Sequence, residues 1–290
     1  MYRLRRSVLF VPGNNQKMVE KASRLRPDVV LIDCEDSVPE GEKEKARESL
    51  RSALTTHTWS SREVGVRVNA PDTPYFDEDL RVAVASGFEL IAVPKVEGPE
   101  EVRLVERTLN ELTRGKQLPS PKLLVMIETA KGVTFVDQIL ASSSLITAVE
   151  FGAEDFALSM GIFDIDRPET TLLYAKSRIA AAAHAFGIDP IDQVFLDLRN
   201  TEGLRLSALS AKNLGFVGKL VIHPDQIDVV NRAFSPSERE INWARRIVEA
   251  WEEHGKEGRG AFRLDDRMID LVHVRMAERI LDAERSARTS

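Results

Sequence analysis

Short runs of branched apolar residues alternate with segments of helical period along most of the chain. This alternation predicts an α/β fold. Runs such as Val29–Ile32 are apolar at every position, which indicates parallel strands buried on both faces. The predicted strands are Ser7–Val11, Val29–Cys34, Glu63–Val68, Leu90–Pro94, Lys122–Glu128, Ala148–Gly152, Gln193–Leu196 and Lys219–His223. Because a helical segment follows each strand, a (β/α)8 TIM barrel fits the pattern better than an open sheet.

The pattern changes after Phe234, which predicts a barrel domain over residues 1–234 and a helical C-terminal extension over residues 235–290. A charged helix is expected from Ser235 to about His254. A last amphipathic helix is expected to place four apolar residues on one face: Ile269, Val272, Met276 and Ile280. Since the barrel is complete without it, the extension is predicted to pack on the outside of the barrel or on a neighbouring subunit.

Composition narrows the class of protein. The chain has 290 residues, 43% of them hydrophobic, and a net charge of −6, which argues against a general nucleic-acid binder. Its single cysteine, Cys34, excludes an intramolecular disulfide framework and suits a reducing compartment. The apolar run near the start stops at Pro12, too early for a signal peptide, and no stretch is long enough to cross a membrane. A cytoplasmic location is therefore expected.

Polar residues follow or end several predicted strands. In a barrel of this type the active site lies at the carboxyl ends of the strands, so these residues are predicted to converge. The set comprises Asp33, Glu35, Asp36, Arg67, Asn69, Lys95, Glu128, Glu154 and Asp155. Glu128 and Asp155, completed by water, form a plausible Mg²⁺ site. The alternative is that these carboxylates pair with Arg67 or Lys95 in a structural network.

Two further features each allow two interpretations. The first 27 residues carry seven basic side chains and one acid, and Lys17 and Lys21 lie on the helix that follows the first strand. They could bind phosphate or form a solvated helix face. Asp270 interrupts an apolar stretch at the expected start of the last helix. It could be a general acid/base with a raised pKa, or a carboxylate favoured by the helix dipole.

Taken in order, the motifs resemble the citrate lyase beta-subunit-like (CitE-like) proteins of the HpcH/HpaI aldolase superfamily, which includes malyl-CoA and citramalyl-CoA lyases. The resemblance covers nearly the whole chain. It is carried by Ser7–Asn14, Leu31–Val38, Arg67–Asn69, Val93–Glu97, Ile127–Thr129, Phe151–Phe156 and Gly218–Pro224.

The resemblance implies a TIM barrel that binds Mg²⁺, or Mn²⁺ in its place, through the positions of Glu128 and Asp155. Glu35 and Asp36 would hold waters around the metal. Arg67 and Glu128 would contact the substrate, and Gly152, Ala153 and Glu154 would help bind its carboxylate. Lys17 and Lys21 become candidates for the phosphates of CoA. Asp270 would complete a neighbouring subunit's site in a homotrimer or hexamer.

The implied reaction is cleavage or formation of a 3-hydroxyacyl-CoA such as malyl-, citramalyl- or citryl-CoA, with a 2-oxo acid and acetyl-CoA or a related thioester on the other side. Arg67 would stabilise oxyanions, and Asp270 would exchange a proton with the thioester α-carbon. Two other functions stay open. One is a beta subunit of a multi-subunit citrate lyase acting on an acyl-carrier-protein thioester. The other is a non-catalytic binding or assembly protein on the same barrel.

Overall fold

The computed structural model describes residues 4–115, 120–164, 167–255 and 260–288. Eight parallel strands pair in sequence order and close into a barrel, so the predicted (β/α)8 fold is confirmed. The barrel strands are β1 Ser7–Pro12, β2 Val29–Asp33, β3 Glu63–Arg67, β4 Leu90–Val93, β5 Lys122–Ile127, β6 Ile146–Phe151, β7 Asp189–Asp192 and β8 Gly218–Val221.

Helices follow the strands around the barrel, and all but the last connect one barrel strand to the next. They are α1 Gln16–Ser23, α2 Lys43–Thr56, α3 Phe76–Ala85, α4 Pro99–Thr113, α5 Ala130–Thr134, α6 Val136–Leu140, α7 Ala153–Ser159, α8 Leu173–Phe186, α9 Thr201–Asn213 and α10 Pro224–Phe234. Single 3₁₀ turns lie at Glu40–Glu42 and Glu169–Leu172. Within the described segments, no helix is both long and apolar enough to cross a membrane.

The seventh strand is β7 at Asp189–Asp192, so the prediction of a strand at Gln193–Leu196 is wrong. The apolar residues after position 193 suggested the later position, because a strand that ends in aspartate does not look buried. Asp192 is nevertheless fully buried, and its carboxylate contacts Lys176 Nζ at 2.9 Å and Lys219 Nζ at 2.6 Å. These lysines compensate the buried charge.

The barrel interior is packed in its middle and closed at its amino-terminal end. Its middle is an apolar cluster that includes Leu31, Leu124 and Ile191. Below it lies Arg5, which is 1% exposed. Its guanidinium bonds to Glu63 at 2.8 Å and 3.0 Å, and to Asp189 at 3.3 Å. A Cβ at Gly218 would lie only 1.8 Å from the Arg5 carbonyl oxygen, so glycine is required where β8 meets the start of β1.

The chain divides into two compact units. One is Arg5–Asn231, and the other joins Leu4 to the described residues from Arg232 onward. The second unit contains α11 Glu238–Gly255, β9 Ala261–Leu264, β10 Arg267–Asp270 and α12 Leu271–Arg288. Strands β9 and β10 form an antiparallel pair. The capping box that starts α11 is built by Ser237 and Glu240, whose side chains bond each other's backbone N–H groups.

The apolar face predicted for the last helix is wrong in two respects. Ile269 belongs to β10 rather than to a helix. Val272 and Met276 are 61% and 53% exposed, because α12 starts at Leu271 and turns Val274 and Ala277 toward the core of its unit. The i, i+3 spacing of these two residues sets the buried face.

Candidate active site

A cavity of about 440 Å³ opens at the carboxyl ends of the barrel strands. The predicted site residues on its wall are Asp36, Arg67, Glu128, Gly152, Ala153, Glu154 and Asp155. Strands from different parts of the chain deliver them to one place, since the ends of parallel barrel strands meet at one rim. The convergence predicted from the strand ends is therefore present in the fold.

Arg67, the last residue of β3, is held by a fork of hydrogen bonds. Its Nε and Nη2 donate to the two carboxylate oxygens of Asp33, each at 2.6 Å, and its Nη1 lies 3.1 Å from Glu35 Oε2. The guanidinium also lies over the ring of Phe10, 4.6 Å from its centre. Burial alone would raise the pKa of Asp33, but the charge of Arg67 and its hydrogen bonds lower it. The guanidinium is thus fixed in one orientation.

Lys95 connects three acidic residues of the site. Its Nζ donates to Glu35 Oε1 at 2.5 Å and to Asp36 Oδ1 at 3.2 Å, while its backbone N–H donates to Glu128 Oε2 at 2.7 Å. The backbone of Lys95 has φ of +55°, an uncommon conformation for a residue with a side chain. That conformation accompanies the simultaneous use of its main chain and side chain.

No lysine or arginine side chain pairs with Glu128 or Asp155 among the described residues. Glu128 is 2% exposed, and burial raises the pKa of its carboxyl to about 7, with the charges of Asp155 and Glu35 adding to the rise. The alternative that Glu128 and Asp155 pair with the side chains of Arg67 or Lys95 is therefore wrong for the described residues, and Lys95 pairs instead with Glu35 and Asp36. Two neighbouring carboxylates that pair with no basic side chain suit a divalent metal ion such as Mg²⁺, which favours carboxylate oxygens and water as ligands.

Gly152 makes room for Glu128. A Cβ at this position would lie 2.5 Å from Glu128 Cγ, so a side chain here would displace the carboxylate. The N–H of Gly152 donates to Ile127 O at 3.0 Å, so it is already used within the protein. The backbone N–H groups still suited to binding the substrate belong to Ala153 and Glu154 in the first turn of α7.

The other two predicted residues of this segment also lie in α7. Asp155 is in the first turn of the helix, rather than at the end of β6 where the sequence suggested it. The side chain of Glu154 turns to Arg167 Nη2, at 2.6 Å. Its contribution to a substrate site is therefore limited to its backbone in this conformation.

Sequence reasoning gave no role to two acidic residues of the site. Asp33 orients Arg67, and Glu150 lines the cavity although it is 1% exposed. Burial and the nearby Glu128 raise the pKa of Glu150 well above its ordinary value. The signal for Glu150 was its strand period: Ala148, Glu150 and Gly152 alternate along β6 and share the inner face.

Lys17 and Lys21 lie outside this cavity, on α1. Lys17 lines a second cavity of about 270 Å³, together with Ser49, Ser52 and His57. The basic amino-terminal segment does not form a single patch, because Arg5 is buried in the barrel base and Arg6 bonds Asp28 at 2.7 Å.

Asp270 lies in the second unit, at the start of α12. Its Oδ1 accepts hydrogen bonds from the backbone N–H of Val272 at 3.0 Å and His273 at 3.4 Å, as an N-cap does. His273 Nδ1 lies 2.7 Å from the same oxygen, and this hydrogen bond lowers the pKa of Asp270. The expectation of a raised pKa is therefore wrong for a single chain.

Residues 6–224 match the family model described as HpcH/HpaI aldolase/citrate lyase. The chain is 34% identical over 288 residues to the mitochondrial citramalyl-CoA lyase of Rattus norvegicus, covering 96% of this chain and 85% of that protein. It is also 34% identical over 281 residues to the citrate lyase subunit beta of Leuconostoc mesenteroides subsp. cremoris, covering 96% and 93%.

A solved structure agrees with the fold over most of the chain. The structure of CitE from Mycobacterium tuberculosis in complex with magnesium, acetoacetate and coenzyme A has a TM-score of 0.80 at 30% identity, and covers 96% of this chain and 97% of that one. The names of these relatives agree with the lyase class expected from the motifs. The chain belongs to the HpcH/HpaI aldolase/citrate lyase family.

Proposed function

We propose that the protein is a Mg²⁺-dependent carbon–carbon lyase that interconverts a 3-hydroxyacyl-CoA with a 2-oxo acid and an acyl-CoA. The observation that carries this proposal is the fixed guanidinium of Arg67 beside two carboxylates without a cation, Glu128 and Asp155, in one cavity. Its relatives support the reaction class, since they are a citramalyl-CoA lyase and a citrate lyase subunit.

In the proposed mechanism, some residues of the cavity wall would hold a metal ion, and others would bind the substrate directly. Glu128 and Asp155 would hold Mg²⁺, or Mn²⁺, which have similar preferences for oxygen ligands. When bound, the metal supplies Lewis-acid polarisation of substrate oxygens. The structure of CitE with magnesium and coenzyme A supports this choice of cofactor. Glu35 and Asp36 keep Lys95 in place, and they remain candidates to orient waters at the metal.

The chain's own groups account for binding and orientation. The Nη1 and Nη2 atoms of Arg67 each carry a second N–H beside the one directed at Glu35 or Asp33, and these donate to the substrate oxygens, so Arg67 stabilises negative charge that develops on the oxo-acid oxygen. The backbone N–H groups of Ala153 and Glu154 bind the substrate carboxylate at the start of α7. Cleavage breaks the bond between the hydroxyl-bearing carbon and the thioester α-carbon. The hydroxyl loses its proton, and the α-carbon keeps the electron pair and gains a proton.

Asp270 is the proposed donor of that last proton, acting in the site of a neighbouring subunit. Its carboxylate is partly exposed on its own unit. Around it lie the exposed apolar side chains of Met268, Leu271, Val272 and Met276, which suit contact with another subunit. A neighbour that covered this surface would desolvate Asp270 and raise its pKa toward the range that an acid/base needs. The proposed assembly is a homotrimer or hexamer, as the family resemblance implies.

Lys17 and Lys21 are the proposed contacts for the CoA phosphates. Helix α1 begins just beyond β1, so Lys17 lies near the rim where the cavity opens. The cavity beside Lys17 adds hydroxyl groups from Ser49 and Ser52. Both features fit a phosphate better than an apolar group. A cytoplasmic location is proposed with this activity, because Cys34 is a free and buried thiol.

The central test incubates purified protein and Mg²⁺ with malyl-, citramalyl- and citryl-CoA, and follows free 2-oxo acid and the released thioester. We expect one substrate to be cleaved, activity to disappear with excess EDTA and to return with Mg²⁺ or Mn²⁺. Glu128→Ala and Asp155→Ala should weaken metal binding measured by calorimetry. Full activity in excess EDTA would exclude the metal-dependent mechanism.

The shared site has its own test. Arg67→Ala and Asp270→Ala homo-oligomers should each be nearly inactive. After the two variants are unfolded, mixed and refolded, some sites combine an intact Arg67 with an intact Asp270 from another chain, so activity should return. No recovery in verified mixed oligomers would exclude the shared site, and an active Asp270→Ala enzyme would exclude its catalytic role.

A second candidate function is supported by the similarity to the citrate lyase subunit beta. In that case the thioester would be carried by an acyl carrier protein, and the purified chain would be inactive toward every CoA thioester. Adding the acyl-carrier-protein thioester to the same assay separates the two functions. A chain that is inactive with both carriers, yet binds metal, would support the non-catalytic binding protein.

A further inference from the structure

Glu150 is a buried acidic residue at the floor of the active-site cavity. It lies on β6, two residues before Gly152, and its side chain lines the cavity while only 1% of the residue is exposed. Strand pairing puts it beside Met126 of β5 and Ile191 of β7. Burying a carboxyl group between these apolar residues costs free energy unless the group forms a hydrogen bond.

The Oε2 atom of Glu150 has no hydrogen-bond partner among the residues that the structure describes. The guanidinium of Arg67 has the charge to pair with Glu150. However, its Nε and Nη2 already donate to Asp33, and its Nη1 lies 3.1 Å from Glu35 Oε2. The described residues therefore leave hydrogen-bonding capacity of Glu150 unused beside the cavity that this residue lines. Buried polar groups in native proteins almost always find such a partner.

The position of Glu150 suits the inner end of a small acid. It lies about 6.6 Å further into the barrel than Gly152, the distance of two residues along a strand. The proposed carboxylate contacts, Ala153 and Glu154, lie beyond Gly152 at the rim. A short 2-oxo acid bound at the rim would therefore point its substituent at the floor. There it would meet Phe10, Met126 and Leu220, which are apolar, and Glu150.

We propose that Glu150 is the specificity-determining residue of this site and selects a 2-oxo acid that carries a hydroxyl group on its substituent over one that carries only an alkyl group. This inference rests on the proposed lyase function. A hydroxyl both donates and accepts a hydrogen bond, so it satisfies a carboxyl group in either protonation state.

A second carboxylate on the substrate is the less suitable substituent. The floor and rim of the site already hold four acidic residues: Asp33, Glu35, Glu128 and Asp155. The basic residues beside them are Arg67 and Lys95. A further negative charge next to Glu150 would add repulsion in a region of low dielectric. An uncharged hydroxyl avoids this repulsion and still provides the hydrogen bond.

The experiment measures kcat/KM for condensation of acetyl-CoA with four acids in the presence of Mg²⁺. They differ only in the substituent on the oxo carbon: hydroxypyruvate, pyruvate, glyoxylate and oxaloacetate. We expect hydroxypyruvate to exceed pyruvate by about 10- to 100-fold, the discrimination of one hydrogen bond in a buried site. Binding of each acid to the Mg²⁺-loaded protein, measured by calorimetry, should show the same order without turnover.

Three variants separate the polar contact from its surroundings. Glu150→Leu should remove the preference for hydroxypyruvate and improve relative use of pyruvate. Glu150→Gln keeps a hydrogen-bonding group and should retain the preference. Ile191→Leu, a volume-conserving change beside Glu150, should leave the order of acids unchanged. Melting temperatures and metal affinity report whether each variant is folded and loaded.

Several results would overturn the inference. They are a wild-type preference for pyruvate, glyoxylate or oxaloacetate, and a Glu150→Leu variant that keeps the wild-type order in turnover and binding. Failure of the proposed function looks different, since no acid would then condense with acetyl-CoA. The calorimetric order of the acids would still support or exclude the role of Glu150 in that case.

Discussion

The barrel buries an arginine at each end, and the two differ in what surrounds them. At the amino-terminal end, Arg5 bonds Glu63, Asp189 and the backbone oxygen of Thr147, so its donors are used inside the protein. At the carboxyl end, Arg67 is equally well anchored by Asp33, but it borders a cavity of about 440 Å³. Both arginines are buried, and Arg67 lines a cavity that a ligand can enter.

The difference shows that burial and ion pairing do not by themselves mark a functional residue. At the base, the guanidinium of Arg5 contacts both neighbouring acids, Glu63 and Asp189. Around Arg67, the acids outnumber the cations, and Glu128 and Asp155 are left without a basic partner in the described part of the chain. An excess of charge of one sign beside a cavity indicates a binding site for the opposite charge. Buried ion pairs at the amino-terminal end of such a barrel contribute to its stability rather than to an active site.

The largest effect that separates the two ends is expected from Arg67→Lys. A lysine keeps the charge but cannot reproduce the planar fork toward Asp33 and the substrate, so kcat/KM should fall by about 10²- to 10³-fold. The melting temperature should stay close to that of the wild type. Steady-state kinetics with the thioester identified by the substrate screen provides the measurement.

Arg5→Lys is the matched control for that experiment, because it makes the same change at the opposite end of the barrel. Its folded form should keep wild-type kcat/KM. Near-native turnover by Arg67→Lys would remove Arg67 from oxyanion stabilisation. Equal losses in both variants would mean that the two ends of the barrel are not functionally distinct.

The second prediction concerns stability at the base. Arg5→Met leaves Glu63 and Asp189 without their buried partner, and should lower the free energy of unfolding by about 3 kcal/mol, measured by urea denaturation. Arg24→Met removes an exposed pair with Glu20 and should change stability little. A small effect of Arg5→Met would show that the base tolerates uncompensated acids, and the contrast with the carboxyl end would be lost.

The sequence predicted most of the barrel because its strands are apolar runs separated by helix-forming segments. It misplaced β7 because the acid in that strand is compensated by Lys176 and Lys219, which are distant in sequence. Such pairing is invisible in a local window. The hairpin of β9 and β10 was missed for a related reason: each strand has four residues, too few for a clear period.

The sequence predicted part of the candidate site as well as most of the barrel. Strand ends identified Arg67, Glu128 and the segment around Asp155, because topology brings such positions together. Local sequence could not show that Asp33 orients Arg67, or that the N–H of Gly152 is engaged by Ile127. These depend on side-chain directions and backbone geometry that only the closed barrel defines.

The third prediction uses the excess of acids at the carboxyl end. Since the pKa of Glu128 is raised to about 7, this group must lose a proton to bind a cation in weakly acidic solution. Metal affinity measured by calorimetry should rise about tenfold per pH unit between pH 5 and pH 7, then level off. Glu128→Gln should remove most of this slope. The exposed change Glu249→Gln should leave it intact.

The same shift has a consequence for the protein without metal. Folded Glu128 holds its proton to higher pH than the unfolded chain does, so its contribution to stability is present at low pH. That contribution is lost as the pH rises from about 4.5 toward 7. Glu128→Gln should make the melting temperature less dependent on pH over this range. An identical dependence in the variant would show that Glu128 is not the group responsible.

The smallest effect is expected from basic residues outside the barrel. Lys17 and Lys21 are exposed on α1, where water and salt weaken electrostatic interactions, in contrast to the buried environment of Arg67. Replacing both with glutamine should raise KM for the CoA substrate by about fivefold and leave kcat nearly unchanged, as expected when binding is lost equally in the ground and transition states. Arg24→Gln, at the residue that follows α1 and pairs with Glu20, is the control and should leave KM unchanged. A loss in kcat alone would place the CoA phosphates elsewhere, and a loss as large as that of Arg67→Lys would show that exposed charge on α1 matters as much as the buried fork.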